Sequence, residues 1–475
     1  MRATLGAGAA ALPSPCAAKP LNVIFILIDD MGWTDLGCYG SKFYETPNID
    51  RLASEGMRFT NAYAACPVCS PTRAAIMTGK YPARLHLTDW IPGRRQWPTS
   101  KLLFLPFQQE LPLAEITVAE MLKPAGYKSA SVGKWHLGGE GFSPENQGFD
   151  LNVAGTFRGS PASYFGPFDL PNLKGGTKDD YLTERLTDEA EKFIEANRDR
   201  PFFLYLPEFA VHLPLQARQK IVEKYAAKAD PKNPQHEPVY AAMVESVDQA
   251  VGRLTRKLEA LGIAGRTVIV FTADNGGVRF EGKSKNAVTS NLPLRAGKGH
   301  VYEGGIREPL IVRWPGVVKP GSVCDVPVSS IDYFPTIREI AGVRSKLPDG
   351  VDGVSIVPLL RGRKSLPRKA LFWHYPHYSN QGGVPAAAVR RGDWKLIEFY
   401  EDNRLELYNL KDDIGETRNL VNRNPKEARD LHELLAKWRS SVNAAMPQAN
   451  PAYDPKTADQ GLTGQEPPTN ASVQK

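Results

Sequence analysis

Cysteine is scarce in this chain. Its 475 residues include five, at positions 16, 38, 66, 69 and 324, an odd and scattered set that excludes a disulfide framework. No apolar stretch runs uninterrupted for the roughly twenty residues that a bilayer-spanning helix needs, so no integral membrane segment is expected. No run of five or six like charges occurs either. The formal net charge of +7 is spread along the chain, which argues against nucleic acid as a partner. A mild basic excess fits acidic substrates, and it fits a generic surface bias equally well. At 42% hydrophobic and 23% charged residues the composition is that of an ordinary globular protein. The length is enough for one large domain and something smaller.

Residues 1–19 are small and apolar, then turn-like, with only Arg2 ahead of the apolar run. They read as the back half of an export signal, similar to the weakly hydrophobic core of a twin-arginine signal, or else as a disordered tail. An export signal implies a periplasmic or extracellular protein.

Short apolar runs predict buried strands at 22–28 (NVIFILI), 128–132 (KSASV), 202–206 (FFLYL), 267–272 (TVIVFT) and 309–314 (PLIVRW). Between them lie helical patterns, the longest from Tyr240 to Leu261, where Met243, Val247, Val251, Leu254, Leu258 and Leu261 recur every three or four residues. Alternating strands and helices predict an α/β fold: a large, mostly parallel sheet sandwiched by helices, over residues 20–365. After about 365 the character changes. AAAVRRGDWKLIEFYEDNRLELYNL reads as short antiparallel strands with turns at 391–393 and 401–403, followed by a helix near 426–440. Residues 366–446 are therefore expected to form a smaller α+β subdomain. Residues 447–475, rich in Pro, Gln, Asn and Thr, are expected to be a mobile tail.

Four predicted strands run directly into ligand-type residues: NVIFILI into Asp29 and Asp30, KSASVG into Lys134 and His136, FFLYLPEFAV into His212, and TVIVFTA into Asp274 and Asn275. In open parallel sheets that edge is where ligands bind. Adjacent carboxylates at the end of a buried strand repel unless something neutralises them. Three carboxylates and an amide carbonyl are hard oxygen donors, which suit Ca²⁺, or less well Mg²⁺, rather than zinc. Lys134, His136, His212 and Arg73 would add positive charge and proton-transfer capacity around that cation.

The stretch CPVCSPTRAAIMTGK (66–80) supplies a reactive group. Pro71 is favoured at a first helical position, so PTRAAIMTG reads as a helix ending at Gly79, with Cys69 among the free N–H groups at its N-terminus and Arg73 one turn on. Such a site suits a tetrahedral anion beside a nucleophile. The competing readings are a buried structural cysteine with a surface arginine, or a Cys66–Cys69 redox or half-zinc pair, for which no second C-x-x-C exists.

Taken together, these motifs resemble the type I sulfatases. Cys69–Ser70–Pro71–Thr72–Arg73 matches their C-x-P-x-R signature, GYKSASVGKWHLG (126–138) resembles the second signature, and VIVFTADNGG, LRAGKGHVYEGGIREPLIVRWPG and SIDYFPTIREIAG are also similar, over about residues 20–440. The resemblance implies an alkaline-phosphatase-like fold and a sulfuric ester hydrolase acting on a sulfated carbohydrate. It also implies that a formylglycine-generating maturation enzyme oxidises Cys69 to an aldehyde, whose hydrate attacks sulfur. His212 or Lys298 would then protonate the leaving oxygen. His136 would deprotonate the second hydroxyl, so that sulfate is eliminated. Asp29, Asp30, Asp274, Asn275 and residue 69 would hold Ca²⁺, with Arg73 and Lys134 sharing the sulfate charge. Asp89, Trp90, Arg95, His300, His374 and His377 are candidates for gripping the sugar. A phosphonate monoester or phosphodiester hydrolase of the same superfamily, and a non-catalytic polyanion-binding relative, are the alternatives.

Overall fold

In the computed structural model, which describes residues 20–96, 99–279 and 288–456, the strands in chain order are β1 (Asn22–Ile28), β2 (Met57–Tyr63), β3 (Lys128–Val132), β4 (Leu151–Val153), β5 (Phe168–Leu170), β6 (Leu173–Gly175), β7 (Phe202–Pro207), β8 (Thr267–Ala273), β9 (Arg307–Arg313), β10 (Ser322–Cys324), β11 (Val328–Ser329), β12 (Leu371–Tyr375), β13 (Ala386–Arg391), β14 (Trp394–Phe399) and β15 (Leu405–Asn409). The main sheet has the order β10-β2-β9-β8-β1-β7-β3-β4, with β11 also paired to β2. All its pairings are parallel except the two made by β9, so the strand predicted at 309–314 exists but runs against its neighbours.

Both faces of this sheet are covered. Along β1 the side chains alternate: Ile24, Ile26 and Ile28 join one core with Leu186 of the Leu182–Ala196 helix and Met243, Val247 and Leu254 of the Pro238–Ala260 helix. Val23, Phe25 and Leu27 join the other, with Ile76 and Met77 of the Cys69–Thr78 helix and Phe334 and Ile337 of the Tyr333–Ile340 helix. Period-two alternation with both sets apolar is what a strand buried on two sides requires. The expected α/β sandwich is therefore present.

A four-stranded antiparallel sheet, β12-β13-β14-β15, makes a second layer system. Ala387, Val389, Leu396 and Leu407 face Leu431, Leu435 and Trp438 of the Pro425–Ser441 helix. On the opposite face Ala386, Ala388, Ile397 and Tyr408 pack on Tyr63, Val68, Val301 and Ile306. The small sheet thus leans on the segments that leave the large sheet's C-terminal edge. Leu102 bridges Ala449, so the chain at 448–450 is tied to the loop at 101–103. The export-signal segment 1–19 and the last residues of the expected tail, 457–475, lie outside the described residues. Among the described residues no helix is long and apolar enough to cross a membrane.

Candidate active site

Four parallel strand ends deliver side chains to one rim, and a fifth delivers the cysteine. β1 ends into Asp29 and Asp30, β3 into Lys134 and His136, β7 toward His212 and β8 into Asp274 and Asn275, while β2 leads through residues 64–68 to the helix that opens with Cys69. That helix begins two residues before Pro71, and Gly79, at φ 72°, caps it as expected. Local backbone is bent to serve the rim. Asp30 and His136 both occupy the left-handed region, at φ 62° and 58°, which costs a non-glycine residue about 1–3 kcal/mol and marks an over-determined position. Gly133 has φ 127°, and a Cβ there would lie 2.0 Å from the Pro207 carbonyl oxygen. Only glycine lets β3 turn its Lys134–His136 segment into the centre.

Nearly every group at this centre is buried: Asp29, Arg73, Lys134, Asp274 and Asn275 have no exposed surface. Lys134 Nζ is 2.7 Å from Asp29 Oδ2. Arg73 donates from Nε to Asp274 Oδ2 at 2.9 Å and from Nη1 to the Lys134 carbonyl at 2.8 Å. Lys298 Nζ bridges both oxygens of Asp30, at 2.7 and 2.8 Å. The lysine whose loop the sequence does not orient therefore belongs to the cluster. Its backbone N–H donates to the Gly277 carbonyl, which locks its loop to the turn after Asp274–Asn275.

The two histidines differ in state and geometry. Cys69 Sγ lies 3.3 Å from His136 Nδ1, and His136 Nε2 lies 2.6 Å from the Ile91 carbonyl oxygen. A carbonyl can only accept, so Nε2 carries the proton and Nδ1 presents its lone pair to residue 69. Burial, then Lys134, hold His136 well below the usual histidine range, so the ring is neutral with an accepting lone pair at that atom. By the same logic His212 Nδ1 donates to Leu213 O at 2.8 Å, which leaves Nε2 facing Asp30 Oδ2 at 3.5 Å. Burial and Lys298 push His212 down to about 3. Lys298 moves the other way: burial opposes its charge, but Asp30 more than restores it.

The donor set fits a hard cation. Among the described residues Asp29 Oδ1 and Asn275 Oδ1 are buried acceptors without a hydrogen-bond partner, although Arg73 Nη2 stands 3.7 Å from Asp29 Oδ1, a costly condition unless something electropositive comes closer. Burial pushes Asp29 up to about 8, with Asp274 and Asp30 reinforcing the rise against Lys134 and Arg73. A divalent ion among these oxygens would return that carboxyl to its ionised form. Asp29, Asp30 and His212 bring ligand atoms within 4.8 Å of one another. His212, assigned from sequence to acid–base work alone, thus also stands where a metal could sit.

The sequence and the fold are matched by known proteins. The sulfatase family profile aligns with residues 21–343, and the C-terminal profile of N-sulphoglucosamine sulphohydrolase with residues 296–441. The chain belongs to the sulfatase family. A sulfatase of Formosa agariphila is 36% identical, over 90% of each chain. Human arylsulfatase A is 34% identical, over 85% of this chain and 84% of its own. Among solved structures, Ps i-CgsB superposes with a TM-score of 0.76 at 30% identity, covering 89% of this chain and 93% of that one. It has also been crystallised with k-i-k-neocarrahexaose. The phosphonate monoester hydrolase of Agrobacterium radiobacter, at TM-score 0.62 and 20% identity, shares the fold. This chain is accordingly an enzyme that hydrolyses sulfate esters.

The candidate sugar-gripping residues divide. Asp89, Arg95 and His377 line one cleft, and His377 Nε2 pairs with Thr88 Oγ1 at 2.8 Å. Trp90 packs against the core that contains Val68 and Trp373. His300 is buried beside Lys298, its Nδ1 3.2 Å from that residue's carbonyl. His374 is elsewhere. Its Nδ1 meets Tyr400 Oη at 2.7 Å and its Nε2 meets Ala445 O at 2.9 Å, so both ring nitrogens are committed and none is left for a sugar. Cys66 is buried and free, its Sγ directed at Thr88 O, 4.0 Å away.

Sequence reasoning overlooks the Ile91 carbonyl, which fixes the His136 tautomer and which no motif announces, and Arg94, which lines the same cleft as Arg95.

Proposed function

We propose that this sulfatase removes sulfate from a sulfated carbohydrate, using Cys69 after its oxidation to formylglycine by a maturation enzyme, with Ca²⁺ in the carboxylate cluster. The observation that carries this reading is the pairing of a helix-N-terminal cysteine 3.3 Å from a lone-pair nitrogen of His136 with two orphaned oxygens, Asp29 Oδ1 and Asn275 Oδ1, at the same rim.

Asp29, Asp30, Asp274, Asn275 and residue 69 would hold the ion, which when bound would supply positive charge to the sulfate oxygens. Arg73 keeps its charge and fastens the Asp274 carboxylate to the Lys134 carbonyl, so the ligand loop and the β3 turn move as one. Lys134 presents a compact charge where the sulfate must sit. The two candidate proton donors to the leaving oxygen are Lys298, whose Nζ is held by Asp30, and His212, whose ring is anchored through Leu213 O. His136 Nδ1 removes the proton from the second hydroxyl of hydrated formylglycine. A hemiacetal ester with that second hydroxyl collapses by itself, whereas a serine ester would need water to attack sulfur.

The carbohydrate reading is supported by Ps i-CgsB, which has been crystallised with an oligosaccharide. Export to the periplasm or beyond is our reading of residues 1–19, and the division into a catalytic domain (20–365) and a C-terminal subdomain (366–446) is our reading of the two sheets. Mass spectrometry of the peptide containing Cys69, after expression in a host with the maturation machinery, should show an aldehyde or its hydrate. Parallel assays with an aryl sulfate and a bis-aryl phosphate should favour the sulfate. An unmodified thiol together with preferred phosphodiester turnover would overturn the reading.

A further inference from the structure

The loop that carries Lys298 is closed at its neck and pinned there by a residue of the small antiparallel unit. At the neck the Gly304 N–H donates to the Arg295 carbonyl at 2.8 Å, so residues 295–304 form a compact loop with Lys298 inside it. Glu416 reaches both sides of that neck. Its Oε2 accepts from the Glu303 N–H at 2.7 Å, and its backbone carbonyl accepts from Arg295 Nη1 at 3.0 Å. Lys395 Nζ, from β14, stands 2.9 Å from Glu416 Oε1 and 2.9 Å from Glu303 Oε1, which holds the two carboxylates together.

The turn that contains Glu416 does not need a glutamate for its own sake. It follows β15, and the Asp413 carboxylate closes it by accepting from Thr417 N at 2.9 Å and Arg418 N at 2.8 Å. Glu416 has φ 52°, a left-handed conformation that glycine or asparagine adopts more readily, and its side chain has no exposed surface. A buried carboxylate persists at such a position when its surroundings over-determine it. Here the surroundings are the two sides of the Lys298 loop.

Further contacts carry the restraint to the reacting groups. The Lys298 N–H donates to the Gly277 carbonyl at 3.1 Å, and the Gly276 N–H donates to the Gly305 carbonyl at 3.0 Å. A shift of the neck would therefore move the Lys298 ammonium against Asp30, whose two oxygens it bridges.

We propose that Glu416 is a positioning residue for Lys298: it clamps the neck of the 295–304 loop, so that the small antiparallel unit sets where the ammonium stands. The inference rests on Lys298 taking part in sulfate-ester hydrolysis.

The test is a double-mutant cycle on kcat/KM for nitrophenyl sulfate, whose phenolate departs readily enough to keep residual turnover measurable. Mass spectrometry gives the formylglycine content of each protein, and thermal melting confirms that each is folded. Glu416→Gly relieves the left-handed backbone and removes the carboxylate. It should lower kcat/KM about tenfold in the wild-type background, chiefly through kcat, yet less than about twofold in the Lys298→Ala background. Glu416→Gln keeps an oxygen for the Glu303 N–H and should stay within about threefold of wild type. Arg295→Met opens the other side of the neck and should show the same non-additivity with Lys298→Ala. Hydrogen exchange reads the clamp without turnover: in Glu416→Gly the amides of Lys298 and Gly304 should exchange about tenfold faster while those of β1 keep their protection. Equal losses from Glu416→Gly in both backgrounds, or unchanged protection at both amides, would overturn the clamp and leave Lys298 in its role. A glutamine variant as impaired as the glycine one would also overturn it, by placing the effect in the charge facing Lys395. If Lys298→Ala alone keeps wild-type kcat/KM, the role of Lys298 falls and the positioning with it.

Discussion

The thiol of Cys69 and the Nδ1 atom of His136 are 3.3 Å apart, and the ring's other nitrogen is pinned to the Ile91 carbonyl. This fixes which nitrogen can act as a base. It also predicts how the enzyme fails without it. His136→Ala should still release the alcohol once per active site and then stall, because the first step does not need this base and the second does. A rapid-quench experiment should show a burst near one equivalent, followed by turnover reduced by about 10²–10⁴-fold, the usual cost of a lost acid–base group. Slow turnover without a burst would assign His136 to the first step instead.

Cys69→Ser separates the nucleophile from the scaffold. One oxygen ligand survives, so the fold and calcium affinity should persist, whereas the second hydroxyl is gone. Turnover should fall below about a tenth of wild type, the least expected when a nucleophile is removed. Activity above that level would contradict the double-hydroxyl chemistry.

Metal removal tests the orphaned oxygens of Asp29 and Asn275. Chelated protein should lose activity and regain it with Ca²⁺, and calcium at a hundred times its Kd should stabilise the fold by about 2.7 kcal/mol. Asp29→Asn should weaken binding by more than about 10-fold, since disturbing even an outer-shell partner of a metal ligand costs about 10–100-fold. Calorimetric titration reads this without reference to turnover. Metal-free protein that stays fully active would show the ligand assignment to be wrong.

A buried ion network outside the active site predicts a different kind of failure. Lys395 has no exposed surface and reaches Glu303 Oε1 and Glu416 Oε1, each at 2.9 Å, while Glu303 Oε2 meets Tyr63 and Arg307. Glu303 begins the turn whose Gly305 carbonyl accepts from Gly276, next to Asn275. Lys395→Met would leave two carboxylates facing each other in the interior and should cost about 3–5 kcal/mol. Adding Glu416→Gln should recover much of it. Urea unfolding of the single and double variants measures both. Equal losses in the two would mean that packing, not charge, is what Lys395 provides.

The rim is legible in the sequence because a parallel sheet sends every strand's C-terminal end to one edge, so residues after NVIFILI, KSASV and TVIVFTA have to meet. What is not legible depends on contacts distant in sequence or on weak local patterns. β2 escapes a sequence reading because Thr60 and Asn61 interrupt its alternation, where its pairing with β9 shifts register. β12 reads as a pocket segment because His374 stands in it, although Tyr400 and Ala445 occupy both its nitrogens. The Ile91–His136 contact joins residues 45 positions apart through a backbone oxygen, which leaves no trace in residue type.

Glu208 carries the last prediction. It is 1% exposed, and among the described residues neither carboxyl oxygen has a hydrogen-bond partner. Burial alone pushes it from 4.5 up to about 8. A carboxyl whose value is higher in the folded chain than in the unfolded one binds more proton when folded. Between about pH 4.5 and 8 the unfolded chain therefore holds fewer protons than the folded one, and stability falls as pH rises. The contribution is complete below 4.5 and is lost as pH passes through 8. Each pH unit in that window removes at most about 1.4 kcal/mol, so the loss between pH 5 and 8 is bounded at about 4 kcal/mol. Glu208→Gln keeps the shape and removes the proton. Asp35 and Asp89, pushed up to about 6 and 7 by burial, give slopes of the same sign in both proteins, so the difference isolates Glu208. Urea unfolding at pH 5 and pH 8 should show wild type losing more stability than the variant over that interval. Equal losses would mean that the carboxyl ionises in the folded chain as readily as in water, and that an unseen partner answers its charge.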